Sequence, residues 1–260
     1  MALVAFRMLF GALTAAAIAI YQGIPFTRNP KDWGVFAIFG PISLAIPIFL
    51  ISWGETTIDS AVASILNATV PLFTLVIAHF WIQDDKITFQ KTLGLLVGFM
   101  GVLVLMSEDL LASEHGSIIG QAAVILASLF YAVGSVGIRK YSQGINNVMR
   151  GVGFLVTSTI LMWAVGPVME KPFEFPSLPI TWVAALWLGI LGSGVAMIML
   201  YYLIHEIGPT RTSLVTYLFP VGGVILGVIF LDEHLSWQLL VGSLLIIASL
   251  FVVNYKKRTV

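Results

Sequence analysis

The 260-residue chain contains no cysteine. Disulfides, thiolate nucleophiles and Cys-ligated metal sites are therefore excluded, and cysteine usage leaves the redox compartment undetermined. Charge is almost as scarce: 10% of the residues are Asp, Glu, Lys or Arg, where soluble domains carry about 25%. The 13 basic and 13 acidic residues cancel, so no basic field points to nucleic acid. There is no His-Glu-x-x-His pattern, no phosphate-cradling glycine loop before a lysine, and no low-complexity tract. What fills the chain instead is apolar: 58% of the residues, with a mean hydropathy of +0.99. A soluble fold of that composition has no water-facing surface to spare, and lipid is the solvent that suits it.

Crossing about 30 Å of hydrocarbon takes roughly 20 apolar residues. Nine stretches qualify, at about 2–21, 33–53, 58–82, 88–106, 118–138, 147–168, 181–204, 210–231 and 237–255. The connections leave no room for a soluble domain, an ATP-hydrolysing one included. The three prolines of 170–179 keep that segment out of a helix. Residues 1–21 carry no positive charge before Arg7, which argues against a cleaved signal peptide. Placing Lys256-Lys257-Arg258 in the cytoplasm puts Arg28, Lys31, Lys86, Lys91, Arg139, Lys140, Arg150 and Arg211 on the same side. Eleven of the 13 basic residues then face inward, as the positive-inside rule asks. The expectation is an all-α, multi-pass protein of a bacterial inner membrane, with a cytoplasmic C-terminus and Met1 outside.

An internal repeat underlies this layout. Ser64-Ile-Leu-Asn-Ala-Thr-Val-Pro71 parallels Ser213-Leu-Val-Thr-Tyr-Leu-Phe-Pro220, with Ser and Pro seven apart in both. Asp85-Lys-Ile-Thr-Phe-Gln-Lys-Thr-Leu-Gly94 parallels Glu233-His-Leu-Ser-Trp-Gln-Leu-Leu-Val-Gly242. Asp85 falls on the cytoplasmic side and Glu233 on the outer side, so the copies run in opposite directions. Inverted repeats are a common construction of secondary transporters, because two such halves rock between inward-open and outward-open shapes.

Leu188-Gly-Ile-Leu-Gly-Ser-Gly194, Gly208-Pro-Thr-Arg-Thr-Ser-Leu-Val-Thr-Tyr-Leu-Phe-Pro-Val221 and Gly227-Val-Ile-Phe-Leu-Asp-Glu-His-Leu-Ser236 resemble the second EamA-type repeat of the drug/metabolite transporter superfamily. Ala5-Phe-Arg-Met-Leu-Phe-Gly-Ala12 and Thr69-Val-Pro-Leu-Phe-Thr74 are similar, more loosely, to the first. The resemblance implies ten helices in two inverted five-helix repeats around a central cavity, here 1–107 with four helices and 117–258 with five. The chain opens on what would be the second helix. The expectation is therefore a ten-helix fold lacking its first helix, through a truncated or mis-assigned start, with a genuine nine-helix protein as the alternative.

Residues three or four apart share a helix face. Ser60, Ser64, Asn67, Pro71 and Thr74 form one such stripe, and Thr212, Thr216, Pro220, Gly223 and Gly227 form another on the equivalent helix. With Tyr131, Ser193 and Tyr217 they are the candidate cavity residues. The competing explanation is close helix packing by small and hydroxylated side chains, which is also the reading of the pairs Gly94/Gly98 and Gly223/Gly227. Arg7 stands apart, because a charge inside a span costs from about 2.5 kcal/mol upward and marks function unless it snorkels to the headgroups. It is placed to hold a substrate carboxylate or to pair with an acid such as Glu55. His79 is a candidate proton carrier or a packed interfacial residue. Asp85 and Glu233 are expected to favour the positive ends of the helices that follow them. No cofactor or metal is expected.

The inverted repeat points to a secondary transporter, and the resemblance implies export of amino acids or related small metabolites, with proton antiport as a candidate coupling. A multidrug or quaternary-cation exporter is the alternative, and it wants a mid-span carboxylate that this sequence does not offer. An intramembrane enzyme is the remote one, because Ser193 has no histidine at its membrane depth.

Overall fold

A computed structural model describes residues 2–108, 117–169, 178–230 and 237–254, with backbone alone at 169 and 223–230. Glu233 and the basic C-terminus lie outside those residues, and Gly223 and Gly227 have backbone only. Among the described residues all regular structure is helical. The helices are α1 (Ala2–Tyr21), α2 (Pro30–Gly40), α3 (Ile46–Gly54), α4 (Ser60–Asn67), α5 (Val70–Trp81), α6 (Phe89–Leu105), α7 (Ile118–Tyr141), α8 (Asn147–Met169), α9 (Pro179–Gly189), α10 (Ala196–Ile207), α11 (Pro209–Ser213), α12 (Val215–Phe230) and α13 (Trp237–Asn254). Wide π-helical turns at Pro41–Ala45 and Ile190–Val195 join α2 to α3 and α9 to α10.

Each of the nine expected apolar stretches is largely helical over its described part. Among the described residues, seven helical segments are long and apolar enough to cross a membrane, and α6 is a shorter apolar helix of 17 residues. Large apolar side chains point outward along these segments, Leu13, Phe80, Phe89 and Phe251 among them. In water such surfaces would drive aggregation; against lipid tails they cost nothing.

The chain folds as two compact units, each drawing on both halves of the sequence: Met1–Phe49 with Val133–Ile207, and Leu50–Ala132 with Gly208–Val260. In the first, α1 turns a face of Ala5, Ala12, Ala15 and Ala19 inward and packs on α8 and on the second π turn. Phe36, Phe154 and Tyr201 form an edge-to-face chain with centroids 5.1 and 5.0 Å apart, a preferred aromatic geometry. Gly153 makes room for the Phe36 ring, which would lie 2.2 Å from a Cβ there.

In the second unit α6 lies along α13, with Gly94, Gly98 and Gly101 facing Val253, Ser249 and Gly242. Small residues let helix backbones approach closely in lipid, where no hydrophobic force drives helices together. The sequence-based packing reading of Gly94 and Gly98 is thus the observed one. Tyr217 of α12 closes this core: its ring lies against Gly98 and its hydroxyl donates to the Leu95 carbonyl at 3.1 Å. Tyr217→Phe keeps the ring and removes the bond, so it should cost about 1 kcal/mol. The check is a small drop in the melting temperature of the detergent-purified protein; unchanged melting would mean that the bond contributes nothing.

Candidate functional site

Arg7 lies in the second turn of α1, and its Nε donates to Ser193 Oγ at 2.8 Å. Ser193 is buried, and the second π turn places it there. α9 starts on Pro179, whose missing N–H costs nothing in a first turn, and runs 11 residues to Gly189. The backbone then widens for six residues, Ile190-Leu-Gly-Ser-Gly-Val195, before α10 resumes. A π turn holds one extra residue and is frequent at functional sites.

Glycines bring α1 onto this turn. A Cβ on Gly189 would meet Phe10 Cβ at 2.4 Å, and one on Gly194 would meet Thr14 Cβ at 2.7 Å. Gly192 is different: beside it stand only Leu188 at 3.9 Å and Arg7 Nη2 at 4.0 Å. The guanidinium therefore lies beside Gly192 of the widened turn. Chemically it is a permanent cation with a planar fork of donors, the group best suited to grip a carboxylate through two bonds.

The other π turn has the same construction. α2 starts on Pro30, runs 11 residues to Gly40 and widens at Pro41. Ser43 within it is buried and packs on Gly134, whose Cβ would lie 2.6 Å from that of Ser43. Sequence reading missed both turns. The available signals were a proline inside an apolar run, which removes a ladder donor, and the cluster Gly189, Gly192, Gly194.

The remaining candidates belong to the second unit. The third span is broken at Ala68-Thr69, between α4 and α5. Pro71 is thus in the first turn of α5, and it does not free a carbonyl in mid-helix as its place in the run suggests. Pro220, by contrast, lies inside α12. Asn67 Oδ1 accepts a long 3.4 Å bond from Ser128. Thr74 and Thr212 are buried, and their hydroxyls donate to the carbonyls four residues back, Val70 and Gly208, both at 2.8 Å. Thr216 donates to Ser213 O, and Tyr131 is half-buried on α7. The structure thus brings Arg7 and Ser193 together in one unit and places Asn67, Pro71, Thr74, Tyr131, Thr212, Thr216, Tyr217 and Pro220 in the other.

Other polar groups secure helix ends. Arg150 donates through Nε and Nη2 to the Ser142 carbonyl at 3.1 and 2.8 Å, and Arg139 donates to the His205 carbonyl. Cations suit the negative C-terminal ends of helices. His79 accepts from the Ile87 N–H through Nδ1 at 3.3 Å, a packed role at the loop that follows its helix. Thr88 caps α6 by accepting from Lys91 N. Asp85, shortly before that helix, also reaches another: its carboxylate accepts from Thr210 N, at the start of α11. Among the described residues no cluster of three or more His, Asp or Glu side chains is suited to a metal.

Residues 1–107 and 118–255 match the family described as the EamA-like transporter family. Among curated relatives, the chain is 24% identical over 206 residues to the uncharacterized transporter YoaV of Bacillus subtilis, covering 78% of this chain and 69% of that one. It is 24% identical over 251 residues to an uncharacterized transporter of Archaeoglobus fulgidus, covering 94% and 84%. The uncharacterized inner membrane transporter YedA of Escherichia coli K12 is 29% identical over 202 residues, which span 77% of this chain and 64% of YedA. A protein crystal structure superposes with a TM-score of 0.82 at 19% identity, covering 97% of this chain and 87% of the other; that likeness concerns the fold.

Proposed function

The chain belongs to the EamA-like transporter family, and from that premise we propose that this multi-pass membrane protein is a secondary exporter of amino acids or related small carboxylates. The observation that carries the substrate class is Arg7, a cation inside a span that is held by Ser193 at a widened turn. A membrane protein keeps a charge at such a place for a ligand or a partner. Of the remaining candidates, Thr74, Thr212 and Thr216 spend their hydroxyl donors on carbonyls of the preceding turn and keep lone pairs that accept.

Export proceeds by alternating access between repeats 1–107 and 117–258. The recurring sequence blocks support that reading, as does the shared plan of the second and seventh spans: a proline start, 11 residues, then a π turn. The C-terminus is cytoplasmic, in a bacterial inner membrane, and protons are the proposed coupling ion. Among the described residues the helical acids, Asp32, Glu108 and Glu206, lie at ends of helical segments, so none of them is the mid-span counter-ion that a quaternary-cation exporter needs.

The test is to profile the medium of cells expressing this chain against empty-vector cells. A reproducible rise in one class of carboxylate-bearing metabolite is expected. No rise, with the protein confirmed in the membrane, or a rise confined to lipophilic cations, would overturn the proposal.

A further inference from the structure

The helix start at Pro209 has no cap of its own. Gly208 before it carries no side chain and adopts φ +87°, ψ 158°, a conformation that favours glycine. Pro209 has no N–H, so Thr210 offers the first donor of α11. That donor is satisfied from far along the chain, by Asp85 Oδ2 at 3.0 Å. Asp85 is 5% exposed and presses against the glycine: a Cβ on Gly208 would stand 3.2 Å from Oδ2. Glycine is thus required twice, for its backbone angle and for space.

The loop that carries Asp85 is itself held. Lys91 Nζ donates to Asp85 Oδ1 at 2.6 Å and to Lys86 O at 2.9 Å, while Lys86 Nζ donates to His79 O at 2.7 Å. On the other side of the bond lie two buried polar atoms that make no hydrogen bond among the described residues, Thr210 Oγ1 and Arg211 Nε. Buried polar atoms are ordinarily paired, so this arrangement stores a cost that a second arrangement of the α11 start can relieve.

We propose that Asp85 is a positioning residue of the transport cycle: a latch, closed in this structure, that clamps the start of α11 to the loop between α5 and α6 and releases when the basic-residue side of the protein opens. The proposal rests on the alternating-access reading above. Its strength fits the task, because loss of one helix cap shifts an equilibrium by about 3- to 30-fold. That is enough to bias an opening without locking it. The latch deepens the role of Gly208-Pro209-Thr210 from a turn to a joint.

The natural absence of cysteine makes single-cysteine reporters clean. Ser213→Cys, one turn beyond Thr210, reports the latch; Ser249→Cys, fully buried between α6 and α13, reports unfolding. Both are read as rates of alkylation by a membrane-impermeant maleimide, in inside-out vesicles carrying the full chain. Asp85→Ala should accelerate labelling at position 213 by about 3- to 30-fold and leave position 249 silent. Asp85→Asn, which still accepts from Thr210 N, should restore most of the protection. Unchanged labelling at 213 in Asp85→Ala would overturn the latch, and so would equal acceleration at both positions, which is the signature of a purely structural cap. No substrate is present in this assay, so a chain that opens on cue but exports nothing loses the export reading alone.

Discussion

Arg7→Gln is expected to abolish transport while the protein remains in the membrane at its normal level. Glutamine keeps a donor at the position of Nε for Ser193, so what disappears is the charged fork beyond it. A hydrogen bond to a charged group contributes about 1.5–3 kcal/mol, so a substrate that depends on Arg7 should lose at least tenfold in transport rate at low concentration. Insertion is not at risk, since removing a charge from a span lowers its cost by about 2.5 kcal/mol or more. Ser193→Ala should act in the same direction but less strongly, because it frees the guanidinium to swing without removing it. Uptake into inside-out vesicles of the metabolite identified from the medium is the measurement. Wild-type rates in Arg7→Gln would end the carboxylate assignment, and loss of the protein from the membrane would make Arg7 a structural residue.

The second large effect is on stability. Gly242→Val should leave no monodisperse protein after detergent extraction. A Cβ at Gly242 would lie 2.5 Å from Leu105 Cβ and 2.7 Å from both Gly101 O and Leu105 N, and one at Gly101 would lie 2.9 Å from Gly242 O. Three of those neighbours, Gly101 O, Leu105 N and Gly242 O, are backbone atoms, which cannot rotate aside, so α6 and α13 must separate. Overpacking commonly costs about 1–3 kcal/mol. Here it also undoes the close approach that holds two helices together in lipid. Gly34→Ala is the matched control: nothing stands within 4 Å of its Cβ, and alanine suits a helix better than glycine by about 1 kcal/mol. Normal chromatographic behaviour of Gly242→Val would refute the packing argument.

The two predictions draw on different levels of the sequence. Lipid imposes length and hydropathy so strongly that nine apolar stretches and the bias of Lys and Arg could be read directly, and spacing alone marked Gly94 and Gly98 as a packing face. Arg7 was conspicuous for the same reason, as a charge where charges are expensive. What stayed hidden was backbone register. Hydropathy does not distinguish an α from a π turn, so Pro41–Ala45 and Ile190–Val195 passed as ordinary helix, and Pro71, placed on one stripe with Ser60 and Ser64, in fact begins a new helix. Partnership over long separations was equally hidden: Asp85 lies three residues before Thr88, its neighbour helix's cap, yet it serves a helix start 125 residues away.

The wide turns also govern how this protein can be compared with its kin. An α-helix advances about 100° per residue, and a π turn inserts one residue without breaking the rod. Everything after Val195 is thereby rotated by about a quarter-turn relative to a straight helix, and that rotation is what turns Tyr201 and Ile204 into the core. A relative without the wide turn would keep the same inward residues only if it were one residue shorter at this point. A single-residue gap in the middle of a membrane span, ordinarily dismissed as an alignment fault, is here the expected footprint of a gained or lost bulge.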